Sequence, residues 1–153
     1  MSETDTVIHR RVAVLRSGRD PSCVARLASG WVVLGDPQVL PGYCLLLPDP
    51  VVPQLNALEG PARTRFLADM ALVGDVLLAS LAATRINYAI YGNLEPALHA
   101  HVFPRHADEP AEQVTQQPWA LDWNHAPRFA PAVHGELQVR LVKAFGSAPP
   151  PRP

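Results

Sequence analysis

Cysteine is scarce in this chain: Cys23 and Cys44 are the only two, far apart and without a CxxC. That pattern suggests neither a disulfide framework nor a thiolate zinc site, and it points to a reduced, cytoplasmic protein. Long hydrophobic runs are missing too. Nothing approaches the ~20 apolar residues a membrane-spanning helix needs, and Met1 to Thr6 are polar and acidic, unlike the start of a signal peptide. Blocks of like charge are also absent. Thirteen basic residues stand against fourteen acidic ones, which gives no electrostatic ground for binding nucleic acid or a membrane surface. No internal repeat is visible. What remains is a chain of 153 residues, 48% hydrophobic, long enough for one domain over 1–153 with a self-sufficient core. Small-molecule chemistry fits this composition best.

The pattern predicts an α+β fold with a mainly antiparallel sheet, one principal helix and a short C-terminal helix. Val7 to Leu15 reads as a short strand or terminal arm. Cys23–Leu27 and Trp31–Leu34 read as strands joined at Ser29-Gly30. After the turn Pro41-Gly42, Tyr43–Leu47 is a strand that should pair antiparallel with Trp31–Leu34. Pro61 suits the first turn of a helix running to about Ala82. On it Phe66, Met70, Val73, Leu77 and Leu81 form an apolar stripe, and Arg65, Asp69 and Asp75 mark a narrow polar side. So much apolar surface implies cover on more than one side, by the sheet and by a second copy of the chain, hence a homodimer. Arg85–Tyr91 alternates again as a strand. Beyond Pro110 come an ordered loop pinned by Trp119 and Trp123, a helix from about Val133 to Phe145, and a proline-rich tail, 147–153, expected to be disordered.

The chemistry concentrates in Gly92 to His106. Leu98, Ala100 and Val102 alternate with His99, His101 and Phe103 at the strand period, which puts both histidines on one face about 7 Å apart. Pro104 cannot donate to a ladder, so the strand should end there, with Arg105 and His106 at its mouth. Six histidines in 153 residues would yield about 0.2 His-x-His pairs by chance. The spacing alone therefore decides little, and the context has to carry the weight.

That context resembles the histidine triad (HIT) family, whose signature is three alternating histidines often followed by Pro-Arg. The register here is Ala97-Leu98-His99-Ala100-His101-Val102-Phe103-Pro104-Arg105. The resemblance extends to Trp31–Asp36, to Leu40–Pro48 and to Asn87–Asn93, and so covers a core of about 23–110, with 111–146 as a C-terminal extension. Gly92-Asn93, Pro96, Asp108-Glu109-Pro110 and Pro118-Trp119 follow a bacterial branch of the family.

The resemblance implies a homodimeric nucleotide-binding fold that hydrolyses or transfers nucleotidyl groups, acting on dinucleoside polyphosphates or nucleoside phosphoramidates with no metal and no cofactor. It assigns His99 as nucleophile and His101 as the group that protonates the leaving group or holds phosphate oxygens. It places Asn93 near the phosphate and Gly35 or Asp36 near the ribose. Arg105 suits a phosphate fork, or a pair with Asp108 or Glu109.

Two relay positions depart together from the family pattern: Ala97 stands at the first triad position and Tyr43 where Pro-Gly-His is frequent. Tyr43, a backbone carbonyl or water would then orient His99. Two other functions fit the same residues. One is a nucleotide-binding module without turnover, and the other is a metal site on His99, His101 and His106. His9, His125 and His134 read as surface or structural residues, and Trp119 and Trp123 as packing anchors, with a stacking role on a base as the alternative for a tryptophan near the pocket.

Overall fold

The computed structural model describes residues 5–148. Its strands are β1 (Cys23–Arg26), β2 (Gly30–Leu34), β3 (Cys44–Pro48), β4 (Arg85–Ile90) and β5 (Ala100–Arg105); its α-helices are α1 (Val7–Arg16), α2 (Gly60–Leu81) and α3 (Pro131–Ser147). The strands form one antiparallel sheet in the order β1-β2-β3-β5-β4. The histidine strand is thus internal, between β3 and β4, and its neighbours hold it on both sides. No helix among the described residues is long and apolar enough to cross a membrane.

Strand alternation divides the core into two. Val32, Leu34, Cys44, Leu46, Ala100 and Val102 point to one face, where α2 brings Phe66, Val73 and Leu77 and α3 brings Leu141. Val33, Leu45, Leu47 and Phe103 point to the other, where α1 brings Ile8, Val12 and Leu15 and the C-terminal segment brings Leu121. His99 and His101 belong to this second face. Both helices that complete the layers, α1 and α3, lie outside the 23–110 core.

Several local expectations are corrected. The stretch from Val7 is helix α1, because Thr6 caps it, accepting from His9 N–H at 3.3 Å, and Ile8, Val12 and Leu15 recur at helical spacing. The charged pair Arg10-Arg11 in its middle hides that period from a strand-length window. Asp69 is no surface residue: it is 1% exposed and accepts from the backbone N–H and hydroxyl of Ser29 at 2.8 and 2.6 Å. A buried carboxylate is tolerable when so bonded, and this one ties α2 to the β1–β2 turn. β5 runs on through Pro104, paired with Ile86 of β4. The β3 ladder has already stopped at Val102, so the proline stands where one side of the strand has no partner to lose. α3 takes in Ser147, and 149–153, the rest of the expected disordered tail, lie outside the described residues.

Candidate functional site

His99 stands just before β5, in a segment pinned to the core by a Leu98 N–H to Val52 carbonyl bond of 2.8 Å. It is 9% exposed, and its Nδ1 lies 2.7 Å from the Ala97 carbonyl. A carbonyl can only accept, so Nδ1 carries the proton and Nε2 of the neutral ring keeps its lone pair. Of the three groups considered for orienting His99, the Ala97 carbonyl makes the contact. Tyr43 touches the other histidine instead: its hydroxyl is 2.6 Å from His101 Nδ1.

The two imidazoles meet at 4.9 Å between centroids, with planes 73° apart. Burial first, and the neighbouring His99 second, push the His101 pKa down to about 4, so His101 is neutral at pH 7. Both rings open onto a cavity of about 590 Å³. Its other walls are Tyr91, the turn Gly92 to Glu95, and Trp119, which meets His101 edge-on at 4.9 Å.

Of the residues singled out in the sequence, the structure brings His99, His101 and Asn93 to this cavity. Tyr43 stands behind it, under His101. Gly35 lies beneath the Tyr43 ring, so close that a Cβ there would approach ring carbons to 2.1 Å; glycine is needed for packing at that position, and no contact with the cavity follows from it. Asp36 is directed elsewhere, pairing with Arg128 at 3.1 Å and accepting from Phe129 N–H at 3.0 Å.

Arg105 likewise departs from the phosphate-binding role. It is 6% exposed and saturated by Glu109, Asn87 and the carbonyls of Gln113 and Gln116. Its guanidinium, together with the His106 N–H, holds the Glu109 carboxyl below the usual range. Asp36 and Arg105 thus both fasten the C-terminal extension to the core. His106 bonds the Pro41 carbonyl at 2.8 Å at an exposed strand end.

Tyr91 and Glu95 are wall residues that the sequence reading misses, and Trp119, expected as a packing anchor or, near the pocket, a stacking face for a base, is a wall residue too. For Tyr91 and Glu95 the flanking turn Gly92-Asn93 was the available signal. For Trp119 nothing local gives it away, because Arg105 and Glu109 bring its segment to the site. Among the described residues, no three His, Cys, Asp or Glu side chains cluster as a metal site would require.

No family model matches this sequence, and no curated protein matches it. Solved structures do. A histidine triad (HIT) protein from Sinorhizobium meliloti 1021 superposes with a TM-score of 0.68 at 21% identity, over 85% of this chain and 93% of that one. A histidine triad nucleotide-binding protein from Sulfolobus tokodaii strain 7, described as hypothetical, gives 0.68 at 13%, over 88% and 90%. A zinc-bound histidine triad family protein from Mycobacterium smegmatis gives 0.64 at 17%, over 89% and 94%. Superpositions of this quality, over more than four fifths of each chain, lead to one conclusion: this chain has the fold of the histidine triad proteins.

Proposed function

We propose that this chain is a nucleotide-binding member of the histidine triad family that hydrolyses or transfers a nucleotidyl group at its α-phosphate, through a nucleotidyl-histidine intermediate on His99. The observation that carries this reading is the Ala97 carbonyl at His99 Nδ1, which leaves a lone pair at Nε2 of a ring lining an open cavity. Such an imidazole attacks phosphorus and divides one hard displacement into two. Asn93 and the backbone of its turn offer hydrogen-bond donors beside the attacking ring. The free Cys23 and Cys44 suit a cytoplasmic location.

The test is a panel of mononucleotides, dinucleoside polyphosphates and nucleoside phosphoramidates, assayed before and after treatment with a chelator. We expect binding and nucleoside monophosphate release, both insensitive to chelation. Binding without release would leave the non-catalytic module. Loss on chelation, restored by zinc, would favour a metal site, the alternative for which the zinc-bound Mycobacterium smegmatis neighbour is the precedent.

The proposal includes a homodimer, on narrower grounds than the helix surface first suggested. α3 already covers part of α2, with Leu141 fully buried between them and the sheet. What remains is Leu67 and Leu78 of α2, 37% and 38% exposed, and the unpaired edge strand β4 with Tyr88 at 43%. A twofold pairing through β4 hides an edge that a lone protomer leaves open. Sedimentation should give twice the chain mass at micromolar concentration; a stable monomer would count against it.

A further inference from the structure

Tyr43 is 2% exposed, and its ring is fixed from several sides. It stacks on Phe103 at 4.3 Å, meets Trp123 edge-on at 5.8 Å and lies on Gly35. Its backbone carbonyl accepts from Gly35 N–H at 2.8 Å and from the Gln38 side-chain amide at 2.9 Å. The hydroxyl is therefore placed by packing. Among the described residues His101 Nδ1 is its one hydrogen-bond partner.

The direction of that bond follows from proton counting. A phenol has one proton to give. If His101 Nδ1–H donated to the phenol, the phenol's own proton would be stranded in an apolar wall. Burial, the largest influence on this group, holds the hydroxyl protonated well above its usual range. The hydroxyl therefore donates, Nδ1 accepts, and the proton of neutral His101 resides on Nε2. His99 has the reverse arrangement, with its proton on Nδ1. A carbonyl and a hydroxyl thus hold two adjacent imidazoles in opposite tautomers, one offering a lone pair and the other an N–H.

We propose that Tyr43 is a positioning residue that fixes His101 as a neutral Nε2–H donor, so that His101 holds a non-bridging phosphate oxygen and does not protonate the leaving group. This rests on His99 as nucleophile and assigns the steps around it. The His99 Nε2 lone pair forms the bond to phosphorus, the phosphorus–oxygen bond to the leaving group breaks, and its electron pair departs on that oxygen. The His101 proton stays on His101, bonded to a phosphate oxygen that gains charge in the transition state. Water then displaces His99 from phosphorus and gives its proton to solvent. A neutral imidazole is a poor source of a proton. The arrangement therefore selects leaving groups stable as anions, the phosphates of a phosphoanhydride, over amines that must be protonated to depart.

The test joins a spectrum to a rate. Long-range proton–nitrogen correlations on the labelled wild-type protein should place the His101 proton on Nε2, and Tyr43→Phe should give a mixture of tautomers. With a nucleoside 5′-(aryl phosphate) as substrate, wild-type kcat should stay level as pH rises from about 7 to 9, where a histidine acid would already be failing. Tyr43→Phe should lower kcat about tenfold, the scale of one hydrogen bond, with KM little changed, and equally for good and poor aryl leaving groups. A wild-type proton on Nδ1, or a kcat that falls through that pH range with a Tyr43→Phe loss confined to poor leaving groups, would overturn the proposal. If no nucleotide is turned over, the catalytic reading of His99 fails, and the wild-type spectrum still decides the Tyr43 assignment without activity and without the variant.

Discussion

His99→Ala should lose turnover by on the order of 10⁴-fold or more, the scale on which removal of a covalent nucleophile is felt. Mononucleotide binding should remain measurable, because the turn at Asn93, the Trp119 face and His101 are untouched. His99→Asn should do the same, since an amide can still donate to the Ala97 carbonyl but has no nucleophilic nitrogen. His101→Ala should cost less, about 10²-fold, as expected for one preorganised donor on a phosphate oxygen. That loss should be even across leaving groups. Steady-state kinetics on one phosphoanhydride and two aryl phosphates, with calorimetric binding of a mononucleotide, check all of this. A His99→Ala protein within tenfold of wild type would remove His99 from the chemistry.

Arg105→Ala should destabilise the fold by about 3–5 kcal/mol, the range for removing one partner of a buried ion pair. Both members are buried: the side chains of Arg105 and Glu109 are 7% and 6% exposed, 2.6 Å apart at Nη2 and Oε2. Without the guanidinium, Glu109 keeps only the His106 N–H among its present donors. The Asn87 side-chain carbonyl and the carbonyls of Gln113 and Gln116 lose their donor at the same time. Arg105→Lys should recover little, because one ammonium cannot reproduce the planar fork. Denaturant unfolding measures the loss, and loosening of the Trp119 segment should appear as a change in tryptophan fluorescence before global unfolding. A variant as stable as wild type, with weakened nucleotide binding, would return Arg105 to the phosphate.

Much of this arrangement was legible in the chain. Short β-rich runs between turn residues (Cys23–Leu27, Trp31–Leu34 and Tyr43–Leu47) and period-two alternation in Arg85–Tyr91 and Leu98–Phe103 locate the cores of all five strands, and Pro61 marks the start of α2 within a residue. The placement of His99, His101 and Asn93 around one cavity follows from the same alternation and the Gly92-Asn93 turn. Long-range pairing was not legible. Arg105 beside Asp108 and Glu109 fits a phosphate site and a structural clamp equally well until Gln113 and Gln116 fold back over it. Asp69 reads as surface because its partner, Ser29, is 40 residues away. Tyr43 stands out in the sequence, but which histidine it touches depends on the β3–β5 register, which sets Cys44 opposite Val102 and so brings residue 43 beside Phe103 and His101 and away from Ala97.

Interception of the covalent intermediate tests the role of His99 as nucleophile without an intervening assumption. The protein is mixed with a nucleoside 5′-(aryl phosphate), quenched at neutral pH within the first turnover, digested and mapped by mass spectrometry. One nucleotidyl group is expected on the peptide holding His99, placed on that residue by fragmentation and absent from His99→Ala. An adduct on His101 or His106, with His99→Ala still active, would contradict it.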